Sequence, residues 1–288
     1  MKLTHAIRDL ARSFGIDIRR VSPVTQVSDD LSPGQEIDVL RERLVFSETM
    51  RQIHRRDSVE IENLLRMVAL PDLPKREGRE MQLAELIGTN ICEGLYLVDA
   101  LHKAMKVEGD ICEFGVAQGA TSQLIALEIL PTSRSFWLFD SFEGLPEPTQ
   151  EDRLIDDIFN LGSMASYRGT MMSPEIEVRG RLEKVKFPHE RTRIMKGWVN
   201  ESIMRPDVPA RVAFAYVDFD FYQPIKDALQ FLHERMVPGA RIMVDDYGFF
   251  SEGAQLATDE FVTAMQGRWK LEKPLALAGH FVTLEKLR

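Results

Sequence analysis

The spacing of apolar and polar positions changes character near Gly109. Before it the period is helical. Apolar residues recur every three or four positions from about Asp38 to Leu70 (Leu44, Ile53, Ile61, Leu64, Leu65, Val68), and again from about Gln82 to Val107 (Ile87, Ile91, Leu95, Val98, Leu101, Met105). Pro71-Asp-Leu-Pro74 separates the two helices expected there. Residues 1–35 show no clear period, and the breakers between Val21 and Gly34 predict a loop.

After Gly109, short continuous apolar runs alternate with helical stretches. Strands are expected over 110–116, 135–140 and 191–196, and in the runs Val212–Tyr222 and Arg241–Tyr247. Helices are expected from Gly119 to Leu130, over 175–185, briefly after Trp198, and over 222–235 and 252–266. Two final strands, 268–273 and 280–286, read as an antiparallel edge hairpin. Strands alternating with helices imply an α/β fold around a mostly parallel, Rossmann-like sheet with right-handed crossovers. The stretch 147–173 is acidic, contains Gly and Met, and lacks a period. A segment that long reads either as a lid, with Met164, Tyr167, Met171 and Met172 over a ligand, or as a plain surface insertion.

Composition narrows the class. A chain of 288 residues that is 44% hydrophobic and 28% charged has the balance of a globular protein. The net charge of −9 argues against a nucleic-acid partner, which would need a basic surface. Two cysteines, Cys92 and Cys112, both in apolar stretches, do not make a disulfide framework and fit a reducing cytoplasm. No apolar run approaches the roughly 20 residues that cross a bilayer, so membrane insertion is not expected. The charged, amphipathic Met1–Leu10 lacks the apolar core of a signal peptide.

The candidate chemistry sits at strand ends, where open α/β sheets bind ligands. Glu113-Phe-Gly-Val-Ala-Gln-Gly119 joins the first strand to its helix. Its glycines permit a tight turn, and the helix behind it offers free N–H groups to an anion. The spacing is not the Gly-x-Gly-x-x-Gly pattern of dinucleotide binders. It suits a cofactor with a carboxylate and an ammonium group, Glu113 facing the ammonium. Asp140 ends the second strand, where such folds place an acid against ribose hydroxyls; a solvated loop aspartate is the other reading. Together these favour S-adenosylmethionine over NAD.

Two further strands end in paired acids, Asp218-Phe-Asp220 and Asp245-Asp246. On a strand, Asp218 and Asp220 alternate to one face, whereas Asp245 and Asp246 diverge unless one turns inward. Four converging carboxylates repel unless a hard cation such as Mg²⁺ joins them.

Four motifs carry a family resemblance: Gly109-Asp-Ile-Cys-Glu-Phe-Gly-Val-Ala-Gln-Gly119, Phe139-Asp-Ser-Phe-Glu-Gly-Leu-Pro146, Val217-Asp-Phe-Asp-Phe-Tyr222 and Pro238-Gly-Ala-Arg-Ile-Met-Val-Asp-Asp-Tyr247. Asp259-Glu-Phe261 also fits. From about Glu108 onward the chain resembles the macrocin O-methyltransferases, class I S-adenosylmethionine-dependent enzymes. It departs from many members at Ala117-Gln118, where an aromatic or basic residue is usual.

The resemblance implies Asp218, Asp245 and Asp246 as Mg²⁺ ligands, Asp220 as general base with Asp218 beside it in catalysis, and a sugar hydroxyl as methyl acceptor. The cofactor set expected is Glu113, Gly115, Val116, Gly119, Thr121, Asp140, Ser141 and Trp198, although Trp198 also reads as a core residue. The expected organisation is a helical extension, 1–80, and a methyltransferase domain, 81–288. The acceptor would be a small glycoside or saccharide, and the extension would pack over the sheet or across a homodimer or larger homo-oligomer. Three alternatives remain: a catechol-like acceptor in place of the sugar, since the same metal chemistry activates phenols; a glycosyltransferase holding a metal-bound nucleotide sugar on Asp218 and Asp220; or a non-catalytic partner that keeps the fold. His233 and His280 read as structural, and Arg55-Arg56 as a solvated helix face.

Overall fold

The computed structural model describes residues 33–276 and 278–288. Residues 51–288 form one compact unit; Met1–Met50 form another, of which the described part is the start of a helix. The loop expected from Val21 lies outside the described residues as far as Ser32, and Pro33 and Gly34 open α1 (Pro33–Val68). Pro at the first helical position costs no hydrogen bond, because that N–H is unpaired in any helix.

The helix expected over 82–107 is two. α2 (Arg79–Ala84) and α3 (Ile91–Ala104) are separated by residues 85–90. Gly88 has φ 85°, and the Asn90 side chain accepts the Glu93 N–H at 3.0 Å, starting α3 afresh. The Asn90 side-chain amide also donates to the Glu93 carboxylate at 3.3 Å, holding the two side chains together at the helix start. Tertiary packing and a cap override the continuous apolar period, so Ile87 leaves the helix and is exposed.

β1 (Asp110–Phe114), α4 (Ala120–Ile129), β2 (Phe136–Asp140), α5 (Glu175–Lys184), β3 (Thr192–Lys196), α6 (Val199–Ser202), β4 (Val212–Val217), α7 (Tyr222–Arg235), β5 (Met236–Val244), α8 (Glu252–Ala264), β6 (Trp269–Glu272) and β7 (Val282–Lys286) follow. The sheet order is β3-β2-β1-β4-β5-β7-β6. The first five strands are parallel, and β7 is antiparallel to both β5 and β6. This is the expected fold, with the closing hairpin at one edge.

Period-2 alternation sends successive strand residues to opposite layers. Ile111, Phe136, Phe214 and Met243 pack with α3, α4 and α5; Cys112, Phe139, Ala215 and Ile242 pack with α7 and α8. Chain order reverses between β1 and β4, so the crevice at their carboxyl ends is the topological switch point.

Arg79 is fully buried and forks onto Glu128 of α4 at 2.6 and 2.9 Å, with further bonds to Glu62 and the Pro74 carbonyl. His102 of α3 reaches the same Glu128 at 2.7 Å. The pair ties α1, α2 and α4 together. Arg79→Met strands a buried carboxylate, and chemical denaturation should report a loss of about 3 kcal/mol.

Candidate functional site

The crevice at the switch point is a cavity of about 590 Å³. Backbone pairing sets its floor. Asp218 N–H donates to the Phe114 carbonyl at 2.7 Å, and Asp245 N–H to the Val217 carbonyl at 2.9 Å. The glycine turn after β1 and the acidic tips of β4 and β5 are thereby neighbours in register. Gly115 has φ 84°, and a Cβ there would overlap the Asp218 carbonyl oxygen. The close approach that this glycine permits is therefore to the β4 tip.

Of the expected cofactor residues, Gly115, Val116, Thr121, Asp140, Ser141 and Trp198 line the cavity. Gly119, φ 78°, starts α4 against Val178. Glu113 is not among the residues that line the cavity. It faces the α4 layer, fully buried, and accepts hydrogen bonds from the Thr121 and Ser122 hydroxyls at 2.5 Å. Burial pushes its carboxyl up to about 8, against the pull of those hydroxyls. Its place is under the turn, where it fixes the first residues of α4.

Asp140 is more occupied than expected. One oxygen accepts the Val116 and Ala117 N–H groups at 2.7 and 3.0 Å, and the other the Phe142 N–H at 2.6 Å. A carboxylate has about four acceptor sites. One therefore remains for a ribose hydroxyl, while three shape the turn.

Asp218, Asp220 and Asp246 each bring an oxygen within 4.8 Å of the others. The convergence does not come from the pleat of a strand. β4 ends at Val217, and Asp220 (φ 61°) and Asp246 (φ 54°) both turn in through left-handed backbone. For Asp246 that is the inward turn the pair requires; for Asp220 it corrects the expected alternation. Such a conformation is uncommon for non-glycine residues, aspartate being among those that tolerate it best.

Asp245 falls outside the 4.8 Å trio but lines the same cavity, and the Tyr216 hydroxyl links it to Asp218. It is buried on the α3 side of the sheet, where the Tyr216 hydroxyl donates to it and Glu93 of α3 faces it. Burial first, then the charges of Asp245, Asp218 and Asp246, push Glu93 up to about 12. Burial and mutual repulsion raise Asp218 and Asp220 well above the usual carboxylate range, and Asp246 to about 7. Neither Glu93 nor Tyr216 was singled out in the sequence. The Asn90-x-x-Glu93 cap pattern and a carboxylate inside an apolar helix were the available signals for the first.

The sign of the shift predicts a pH effect. Asp246 titrates near 4 when unfolded and near 7 when folded, so between these values the native state binds more protons. Its contribution therefore falls as pH rises from about 4 to 7. Thermal denaturation in EDTA should show this decline, to which the raised Asp218, Asp220 and Glu93 add in the same direction; Asp246→Asn should make it shallower, and Mg²⁺ should oppose it. The all-oxygen donor set fits a hard divalent cation, whose charge would relieve the repulsion.

The 147–173 segment is docked rather than loose. Met164 and Tyr167 are buried with Leu145, Phe221 and Phe250, while Ile158, Phe159, Met171 and Met172 line the cavity. His233 accepts the Trp269 indole N–H at 3.0 Å, and His280 stacks on Phe249 at 4.7 Å. Arg55 pairs with Glu80 on an exposed face. Both cysteines are free thiols, and no described helix is long and apolar enough to cross a membrane.

The family model of the macrocin-O-methyltransferases (TylF) matches residues 71–276. The 8-demethyl-8-(2,3-dimethoxy-alpha-L-rhamnosyl)-tetracenomycin-C 4'-O-methyltransferase of Streptomyces olivaceus is 29% identical over 59% of this chain and 62% of its own length. The mycinamicin III 3''-O-methyltransferase of Micromonospora griseorubida is 29% identical over 49% of this chain and 56% of its own. The match thus spans less than two thirds of either relative. Among solved structures, the O-methyltransferase NovP superposes with a TM-score of 0.60 at 20% identity, over 81% of this chain and 100% of that one. The calicheamicin methyltransferase CalS11 gives 0.56 at 19% identity, over 79% and 91%.

Proposed function

The chain belongs to the macrocin-O-methyltransferase family, and on that premise we propose that it moves the methyl group of S-adenosylmethionine to a sugar hydroxyl of a glycosylated natural product or saccharide, with Mg²⁺ at the acidic tips. The observation that carries this reading is one cavity holding both the glycine turn and three carboxylates within 4.8 Å of one another.

The turn and the start of α4 receive the amino-acid end of the cofactor, where the first N–H groups of the helix face an anion. The free acceptor site of Asp140 takes a ribose hydroxyl, and Ser141 and Trp198 form the adjoining wall. Asp218, Asp245 and Asp246 would hold the ion, all three lining the one cavity. Bound there, Mg²⁺ would supply Lewis acidity to the acceptor hydroxyl. Asp220 lies in the same cluster and would accept the hydroxyl proton as the acceptor oxygen bonds the methyl carbon and the carbon–sulfur bond breaks to leave a neutral thioether, a contribution of roughly 10²–10⁴-fold. Ile158, Phe159, Met171 and Met172 exclude water from the path. Residues 1–80 are proposed as a helical extension to the catalytic domain, and the enzyme as a cytoplasmic homo-oligomer.

The experiment is incubation with labelled S-adenosylmethionine, Mg²⁺ and a panel of rhamnosyl and related glycosides, with EDTA as control. Label in a sugar methyl ether that disappears with EDTA supports the reading. Transfer undiminished by EDTA removes the metal from it. A chain that binds neither S-adenosylmethionine nor Mg²⁺ returns the non-catalytic alternative.

A further inference from the structure

We propose that Asp152 is a positioning residue that couples the cover of the cavity to the two acid-bearing turns, so that the ion site is fully formed only when the cover is docked. This rests on the reading of Asp218 and Asp246 as ion ligands.

Asp152 is buried and uses both of its oxygens across segments far apart in sequence. One accepts the Tyr222 N–H at 2.7 Å and the Ser251 hydroxyl at 3.2 Å. The other accepts the Thr149 N–H at 2.8 Å and the Thr149 hydroxyl at 2.9 Å. Tyr222 lies two residues beyond Asp220, and Ser251 is the N-cap of α8, five beyond Asp246. Thr149 opens the segment that carries Ile158 and Phe159 into the cavity.

Gly253 makes room for this carboxylate, since a Cβ there would overlap the Asp152 oxygen. The contact is reinforced by backbone pairing: Ile155 N–H donates to the Phe250 carbonyl at 3.0 Å, and Glu252 N–H to the Arg153 carbonyl at 2.9 Å. Phe221, next to Asp220, stacks on Phe250 at 6.1 Å, and Phe250 meets Tyr167 of the cover at 4.8 Å. The left-handed Asp220 turn is thus held from the cover side as well as from the sheet.

Each oxygen of Asp152 faces a backbone N–H, and only an acceptor-only group satisfies both. A carboxamide of the same shape presents its NH₂ to one of them. Asp152→Asn should therefore keep the fold and break the tie.

Two readouts test this on the full chain. Trypsin cleavage at Arg153 and Arg168, both exposed, reports docking of the cover. Calorimetric titration with Mg²⁺ reports the ion site. In Asp152→Asn, cleavage should quicken and the Mg²⁺ Kd should weaken by about tenfold, the usual effect of losing an outer partner of an ion site. Asp152→Ala should do the same.

Asp157→Asn is the control. Asp157 holds Tyr167, Leu161 and Gly162 but touches neither acid-bearing turn. With the Asp152 tie intact, it should quicken cleavage at Arg168 alone and leave both cleavage at Arg153 and the Mg²⁺ Kd unchanged. An Asp152→Asn protein with wild-type Kd, or with wild-type cleavage, overturns the coupling. A flat Mg²⁺ titration of the wild-type protein overturns the ion site itself, and the coupling with it, which identifies which reading failed.

Discussion

Asp218→Ala should lower kcat by about a thousandfold or more while S-adenosylmethionine still binds. The expected size follows from losing a Lewis acid worth several kcal/mol at the transition state. Cofactor binding survives because Asp218 meets the glycine turn through its backbone, with its N–H on Phe114 and its carbonyl beside Gly115, and alanine keeps both. Asp245→Ala should lose activity in the same way, and it also leaves the buried Tyr216 hydroxyl and Glu93 without their shared partner. Asp220→Asn separates base from ligand. As the base, it loses roughly 10²–10⁴-fold in kcat with Mg²⁺ affinity intact. Steady-state kinetics beside equilibrium binding of cofactor and ion would check all three; unchanged turnover in Asp218→Ala or Asp245→Ala would refute the metal assignment.

Among the described glycines, Gly115→Ala should be the most damaging added methyl. Its φ of 84° is unfavourable for alanine, and the added carbon meets backbone at the Asp218 carbonyl rather than a side chain that can swing away. Either β1 or the β4 tip must move, and both carry the site. A loss of at least about 3 kcal/mol is expected, with cofactor and ion binding impaired together. Gly169→Ala is the matched comparison. It too has a positive φ, 74°, but nothing lies within 4 Å of the added carbon, so only the conformational cost of about 1–2 kcal/mol applies. Denaturant unfolding of the two variants measures the difference.

Much of this site was legible in the chain. Val212–Val217 and the run through Val244 are apolar because β4 and β5 are covered on both faces, and that same burial makes the acids beyond them conspicuous. The glycine turn and Asp140 were legible for a similar reason, since each ends a strand at the switch point. The local pattern could not show what each group spends its bonds on. Glu113 is consumed by hydroxyls eight and nine residues along the chain, and Asp140 mostly by amides more than twenty residues before it.

Contacts between distant segments were hidden further. Asp152 bonds to Tyr222 and Ser251 across the fold, and nothing in the irregular 147–173 segment marks it apart from its acidic neighbours. Glu93 sits within a stretch that reads as continuous helix until the cap at Asn90 is recognised. Residues 85–90 then become a loop, and Ile87, Gly88 and Thr89 part of the cavity wall. Periodicity reports which face is buried; it is silent about which distant group a buried polar atom meets.

Calorimetric titration of Mg²⁺ into the cofactor-bound protein at pH 6 and pH 8 is the most direct measurement. The acidic tips predict a single site, tighter at pH 8, with protons released on binding because the ion-free carboxyls are raised toward neutrality. Asp218→Asn and Asp246→Asn should each abolish it. A wild-type protein that takes up no ion, or variants that bind it as well as wild type, would contradict a metal centre shared between the two strand tips.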